Sequence, residues 1–338
     1  MLPQNKISKK MIEKNQAVKT CWIVTDGTTG MLKQSIAVAK SLNLDATILN
    51  ANATPILRLF PILAKIPTWR LTIGRSPDWI KGPYPDYIIS CGKRMAGLSI
   101  GLKRISHGRS KTIHIQDPGI SPKNFDVLIV PSHDRITKRA NEFSNLIIST
   151  GSLSWLNKKQ IMASKTEMIE RFGAFDGPQI VVMLGGHNKR YRISSDCLHN
   201  MAKQIIQFAS DKNARLIIIP SRRTPKKAKK IFAELDQKTS HIFWSGKQAN
   251  PYPDVFSIAD EIIVTSDSVN MVTEACLLGK PVYISTWGEE QGRIAAFHDM
   301  MNAKGYTKPL SQADTQFKPK ILNQMPQIAK KINKIIVS

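Results

Sequence analysis

The sequence predicts an α/β protein made of two Rossmann-like domains whose parallel sheets face a cleft. Three observations carry that expectation. Short β-branched runs are each stopped by turn residues, helical patterns lie between several of them, and two such series occur, each opening strand, glycine turn, helix. Strands alternating with helices imply parallel sheets buried on both faces.

The first series opens at Thr20–Thr25, followed by Asp26-Gly27-Thr28-Thr29-Gly30 and then Leu32, Ile36, Ala37, Ala39 and Leu42 at helical spacing. Ala46–Leu49 is a weak second strand. Tyr87–Ser90 stops at Cys91-Gly92, Thr112–Gln116 at Asp117-Pro118-Gly119, Val127–Val130 at Pro131, and Leu146–Ser149 at Thr150-Gly151. A helix is expected over Arg94–Ile105. The second series begins with Gln179–Leu184, which ends at Gly185-Gly186-His187-Asn188. A helix over Ser195–Ala209, a strand at Arg215–Pro220 and a lysine-rich helix at Pro225–Leu235 come next. Then come a strand at Ile242–Trp244, a helix near Pro253–Ala259, the strand Glu261–Thr265, a helix over Val269–Leu278 and a strand at Val282–Ser285. The domain plan is a basic, flexible leader over 1–19, an N-terminal domain over 20–155, a linker over 156–178 and a C-terminal domain over 179–305. A helical segment, 306–338, is expected to pack back on the N-terminal domain.

Composition narrows the function. The chain has 338 residues and a formal net charge of +24, which favours polyanionic partners such as phosphorylated substrates, anionic lipid or nucleic acid. Aromatic residues are scarce, and no RNP motif, zinc finger or helix-turn-helix pattern is present, so no specific nucleic-acid partner is expected. An AT-rich genome would also produce many lysines. No apolar run reaches the roughly 20 residues that span a bilayer, and no apolar stretch follows the basic leader as in a secretory signal. The four cysteines, Cys21, Cys91, Cys197 and Cys276, form no CxxC pair and read as reduced thiols. A cytoplasmic protein is expected, with a peripheral place on the inner face of a membrane as an option.

The richest stretch runs from Ala259 to Ala275 and closes with Gly279-Lys280-Pro281. A strand feeds a polar turn, Asp267 and Ser268, which feeds a helix. Ser268 is placed as an N-cap, the N–H groups behind it can hold a diphosphate, and Glu274 lies where a carboxylate can accept from a ribose diol. Gly279 is expected to end the helix and Pro281 to block its continuation. The Gly185-Gly186 loop permits close backbone approach to a phosphate, and in Ser221-Arg222-Arg223-Thr224 an arginine fork suits a diphosphate. Arg222 is favoured for that role. Arg223 and Lys226, Lys227, Lys229 and Lys230 read as a solvated basic face.

The stretch from Ala259 to Val282 resembles the donor-binding signature of GT-B glycosyltransferases, and nearly the whole chain, from 21 to 300, is similar to the mitochondrial fission ELM family. That second likeness rests on an ordered set: Trp22-Ile23-Val24-Thr25-Asp26-Gly27 with Gly30 and Gln34, Ser90-Cys91-Gly92-Lys93-Arg94, Gln116-Asp117-Pro118, and Phe125-Asp126. It continues through Val130-Pro131-Ser132-His133-Asp134, Gly185-Gly186, Ser221 to Pro225, Asn250-Pro251-Tyr252, and Thr265-Ser266-Asp267-Ser268 with Met271 and Glu274-Ala275. The resemblance implies a GT-B-like fold and a glycosyltransferase-like activity. It implies a nucleoside-diphosphate sugar, UDP- or GDP-linked, as donor substrate, with Trp244 to Tyr252, including Asn250, bordering the nucleobase.

No metal set and no further cofactor is expected, since no His, Asp or Glu group has ligand spacing and no DxD-like pair ends a strand. Helix N-termini and basic side chains would then stabilise the leaving diphosphate. The candidate bases for an inverting transfer are Asp26, His133 and Asp134, with Asp117 a further carboxylate at a strand end. An adjacent Asp134 could hold His133 protonated; equally, all four can serve as caps and turns. Thr28-Thr29-Gly30 departs from the basic residue and glycine usual after Asp26-Gly27 in relatives, which leaves the role of that loop open. A non-catalytic adaptor in membrane or fission-type organisation, and a nucleotide-sugar epimerase, are the alternatives. Finally, Pro55–Leu71 interleaves apolar residues with Arg58, Lys65 and Arg70. Leu59, Phe60, Ile62 and Trp69 are candidate contacts to an anionic membrane surface, which would suit a lipid-linked or cell-envelope glycan acceptor.

Overall fold

The computed structural model describes residues 18–51, 54, 56, 60–66, 77–186, 194–236, 239–288, 290–314 and 316–337. Among these residues it has two six-stranded sheets with helices. The first sheet has the order β2-β1-β3-β4-β5-β6, with β1 Thr20–Thr25, β2 Asp45–Asn50, β3 Tyr87–Cys91, β4 Lys111–Ile115, β5 Val127–Pro131 and β6 Leu146–Ser149. The second has the order β12-β11-β10-β7-β8-β9, with β7 Gln179–Leu184, β8 Arg215–Pro220, β9 Ile242–Phe243, β10 Glu261–Thr265, β11 Val282–Ser285 and β12 Lys308–Pro309. Neighbouring strands run parallel. By its contacts the chain divides into two compact units, Met1–Leu128 with Ile335–Ser338, and Ile129–Lys334.

The two-sided burial that the apolar runs imply is visible in the second sheet. Val181 and Met183 of β7, Ile217 and Ile219 of β8, Ile262 and Val264 of β10, and Val282 and Ile284 of β11 point into one core cluster. The residues between them, Ile180, Val182, Leu184, Leu216, Ile218, Ile263 and Tyr283, point into a second cluster on the opposite face. Alternation at period two sorts one continuous apolar run into two cores. Helix α5, Ser195–Asp211, covers the second face with Leu198, Met201, Ala202, Ile205 and Ala209. Ser194 caps it by accepting from the Cys197 N–H at 3.2 Å.

In the first sheet, α1, Thr29–Ser41, buries Ala37, Val38 and Ala39, and α2, Ala96–Ile105, buries Leu98, Ile100 and Leu102. A 3₁₀ turn, Lys93–Met95, leads into α2.

The segment expected as a linker is folded. Helices α3, Lys158–Ala163, and α4, Lys165–Phe172, bury Ile161, Met168 and Phe172 in one core cluster with Val255 and Phe256. They are too short, and carry too few apolar residues each, for a helical period to register in the sequence. The expected helix near Pro253 is a 3₁₀ turn, Asp254–Ile258, while α6, Lys226–Asp236, lies as predicted. Helix α8, Gly292–Ala303, carries no capping signal strong enough to predict it, while α9, Met325–Val337, lies in the segment expected to be helical, 306–338, which also holds β12 and a 3₁₀ turn, Leu310–Gln312.

Candidate functional site

In an open parallel sheet a ligand crevice forms where the strand order reverses, outside the carboxyl ends of the two strands that flank the reversal. In the second sheet the chain runs β7, β8, β9 in one direction and then returns to β10 on the other side of β7. The reversal places the loop after β7, Gly185-Gly186, beside the loop after β10, Ser266-Asp267-Ser268. Asp267 is the knot of this crevice. Its carboxylate, with its side chain 0% exposed, pairs with the Arg223 guanidinium at 2.9 Å. It also accepts from the Gly186 N–H at 3.0 Å, the Thr265 hydroxyl at 2.8 Å and the Trp287 indole N–H at 2.9 Å. A carboxylate removed from water is tolerable only with this degree of satisfaction.

The glycines are explained by the same knot. A Cβ on Gly185 would lie 2.0 Å from Asp267 Oδ1, and one on Gly186 would lie 2.0 Å from the Arg223 carbonyl oxygen. The Gly185 N–H donates to Thr265 Oγ1 at 2.7 Å. What crowds these residues is therefore the protein's own carboxylate and backbone, and both N–H groups already have acceptors. Thr224 closes the ring, its hydroxyl donating to the carbonyls of Leu184 and Gly185 at 2.8 and 2.6 Å. The Ser221 hydroxyl accepts from the Arg223 N–H at 3.2 Å. Arg222 is exposed beside it. Arg223, read from the sequence as part of a solvated face, is the arginine that holds Asp267. A run of basic residues cannot disclose which of them meets a buried carboxylate.

Helix α7, Val269–Ala275, follows directly, with the Ser268 side chain accepting from the Met271 N–H at 3.4 Å. The cap is where the sequence placed it. Glu274 lies in the second turn and is only 5% exposed, and Met271 packs against the core. The helix stops three residues earlier than the pattern suggested, and Gly279 takes φ +73. Asn250 accepts from the Tyr252 N–H at 3.1 Å, a local turn, and the Tyr252 ring meets Phe256 edge-on at 5.5 Å.

Two groups without a sequence motif lie at the same end of the second sheet. His298 of α8 sets Nε2 2.8 Å from the Ser266 carbonyl oxygen and 3.7 Å from Glu290. Burial raises the Glu290 carboxyl above its ordinary value, against the lowering influence of His298. Both line a small cavity of about 140 Å³ with Ile284, Thr286, Thr307 and Pro309.

The candidate bases sit at strand ends, as expected, and each carboxylate has a cation. Asp26 accepts from the Thr28 N–H at 3.0 Å and pairs with Arg94 at 3.2 Å. This pair bridges the loops after β1 and β3, the reversal point of the first sheet. Burial pushes the Asp26 carboxyl up, but the Thr28 hydrogen bonds and Arg94 outweigh it and hold the group below its ordinary value. Asp134 is buried and turned to Arg293 at 2.9 Å, while the His133 ring meets Phe297 at 5.3 Å. Asp117 accepts from the Gly119 N–H at 2.8 Å within its own turn. Of the four residues put forward as membrane contacts, Leu59 and Trp69 lie outside the described residues. Phe60 and Ile62 are 60% and 67% exposed. Among the described residues no three His, Cys, Asp or Glu side chains gather as metal ligands, and no helix is long and apolar enough to cross a membrane.

Two doubly wound parallel sheets of this order define a GT-B-like fold, shared with glycosyltransferases and with UDP-GlcNAc 2-epimerases. A Methanocaldococcus jannaschii UDP-GlcNAc 2-epimerase, solved with UDP-GlcNAc and UDP, superposes with a TM-score of 0.51 at 12% identity, covering 94% of this chain and 99% of that one. Acinetobacter baumannii MurG gives 0.50 at 13% identity over the same shares, and the kitacinnamycin glycotransferase 0.50 at 11% identity, covering 95% and 94%. Residues 29–336 match the family described as mitochondrial fission ELM1, and the chain belongs to that family. It is 24% identical over 242 residues to the Arabidopsis thaliana mitochondrial fission protein ELM1, covering 66% of this chain but 57% of that protein's length. It is 27% identical over 304 residues to an uncharacterized Rickettsia prowazekii protein, RP120, covering 78% and 82%.

Proposed function

We propose that the chain binds a nucleoside-diphosphate sugar, UDP- or GDP-linked, in the crevice between the ends of β7 and β10, and transfers the sugar to an acceptor. The observation that carries this reading is the buried Glu274 on the helix that starts at Ser268, beside an arginine pair at a strand-order reversal. A buried carboxylate there is suited to accept both hydroxyls of a ribose, a demand that a plain helix–strand connection does not make. Arg222 and Arg223 supply planar, charge-assisted donors for the diphosphate. Because Asp267 already holds Arg223, an incoming diphosphate shares that guanidinium or draws it away. A GT-B-like fold shared with proteins solved in complex with UDP and UDP-GlcNAc supports the same assignment.

The test is a thermal-shift screen of the full chain against UDP, GDP, CMP and their sugars, repeated with Glu274→Ala and Glu274→Gln. One nucleotide should raise the melting temperature of the wild type, with most of the shift lost in both variants. No shift with any nucleotide would overturn the assignment and leave a non-catalytic adaptor as the better reading. Nucleotide release that depends on an added acceptor separates a transferase from an epimerase, which converts the sugar alone.

A further inference from the structure

The first unit carries a second cluster that the nucleotide-sugar assignment does not use. The 3₁₀ turn Pro61–Lys65 packs against the turn Lys93–Met95 and the helix behind it, Ala96–Ile105. This brings Lys65 and Lys93 together over Gly119. The two ammonium nitrogens each lie 3.7 Å from the point that a Gly119 Cβ would occupy, so both sit against this residue. Neither forms an ion pair among the described residues. The Asp117 carboxylate of the same turn accepts from the Gly119 N–H, and Asp26 pairs with Arg94. Two ammonium groups outnumber the single Asp117 carboxylate of that turn, so the cluster carries a net positive charge that attracts an anion.

The turn that supplies Lys65 also exposes Phe60, Ile62 and Ile66, with Ile56 just before it. Water-facing aliphatic and aromatic side chains concentrated in one short segment mark an interaction surface rather than a stray exposed residue. Ammonium groups beside apolar side chains match the chemistry of a bilayer surface, where lipid phosphates overlie acyl chains. We infer that the Pro61–Lys65 turn docks on an anionic membrane, with Phe60 and Ile62 entering the acyl boundary and Lys65 and Lys93 clamping a lipid phosphate. This inference rests on the first unit alone and stands or falls independently of Glu274.

The experiment is co-sedimentation of the full chain with vesicles of phosphatidylcholine, plain or containing about one third phosphatidylglycerol. Four proteins are compared: wild type, Lys65→Ala/Lys93→Ala, Phe60→Ser/Ile62→Ser, and Lys226→Ala/Lys230→Ala as an equal charge loss on the exposed face of α6. Wild type should bind the anionic vesicles and not the plain ones. Loss of the Lys65–Lys93 clamp should weaken binding roughly 30-fold, about fivefold for each basic group at the surface. The Phe60–Ile62 variant keeps every charge and should still weaken roughly tenfold or more. Binding weakened equally by the Lys226–Lys230 change would show that bulk charge is responsible and overturn the inference. So would a Phe60–Ile62 variant that binds like wild type. A thermal shift by inorganic pyrophosphate that vanishes in Lys65→Ala/Lys93→Ala, with vesicle binding intact, would assign the clamp to a soluble phosphate instead. All six replaced side chains in the three variants are exposed, so unchanged melting curves are expected in buffer alone.

Discussion

Removing the Asp267 carboxylate should destabilise the second unit more than any neighbouring change in the crevice. Asp267→Ala strands the Trp287 indole N–H, the Gly186 N–H and the Arg223 guanidinium, and frees the Thr265 hydroxyl. Deleting one partner of a buried ion pair costs about 3–5 kcal/mol, mostly as the penalty on the groups left behind. Arg223 is 43% exposed and water recovers part of its charge, so the lower half of that range is the better figure. At about 2–4 °C per kcal/mol for a unit of this size, the melting temperature should fall by roughly 6–16 °C. Asp267→Asn keeps one carbonyl oxygen for Thr265 and Trp287 but loses the charge, and should cost about half as much. Calorimetry on wild type, Asp267→Ala, Arg223→Ala and the double variant measures the coupling directly. Arg223→Ala alone should cost about 1–2 kcal/mol, because it leaves a buried carboxylate with three donors still in place. A loss below about 1 kcal/mol for Asp267→Ala, or one no larger than that of Arg223→Ala, would refute the view that this carboxylate organises the crevice.

The glycine loop makes a sharper steric prediction. Gly186→Ala puts a methyl group into the Arg223–Thr224 backbone and should cost more than about 2 kcal/mol, read as a drop in melting temperature. Gly246→Ala, at φ +88 with open space around it, should cost only the backbone strain of about 1 kcal/mol. The acid limb of stability should report on His114. Burial alone lowers its pKa to about 3, below the ordinary 6.5, so the folded state holds it neutral while the unfolded chain charges it. Its contribution is intact above pH 6.5 and is lost as pH falls from 6.5 towards 3, at up to about 1.4 kcal/mol per pH unit. His114→Gln should flatten the denaturation midpoint's pH dependence across that window; an unchanged slope would place the acid sensitivity elsewhere.

The fold class and the strands other than β12 were legible because period two and β-branched runs survive in a single sequence, whereas the strand order, and with it the two reversal points, came only with the structure. The Ser268 cap was legible for the same local reason: an N-cap hydroxyl and the N–H it accepts from lie three residues apart. The identity of the arginine at Asp267 was not, because Arg222 and Arg223 differ only in where β8 points them. Trp287, Glu290 and His298 enter from a loop and a helix that carry no motif, and what unites them is the end of one sheet. Helices α3 and α4 escaped notice because each buries so few residues that its period never emerges. The candidate bases illustrate the converse. Asp26 and Asp134 were correctly placed at strand ends, yet their arginine partners lie 68 and 159 positions away along the chain.

Both strand-order reversals are fastened by an aspartate and an arginine, Asp26 with Arg94 and Asp267 with Arg223. Each bolt is electrically neutral, so the excess positive charge of the chain is carried by other side chains. The long-range field that gathers anions toward the protein is therefore produced by groups other than these two ion pairs. Salt should accordingly slow the arrival of a charged ligand while changing little of its residence in the crevice, and the two effects can be read separately in association and dissociation rates.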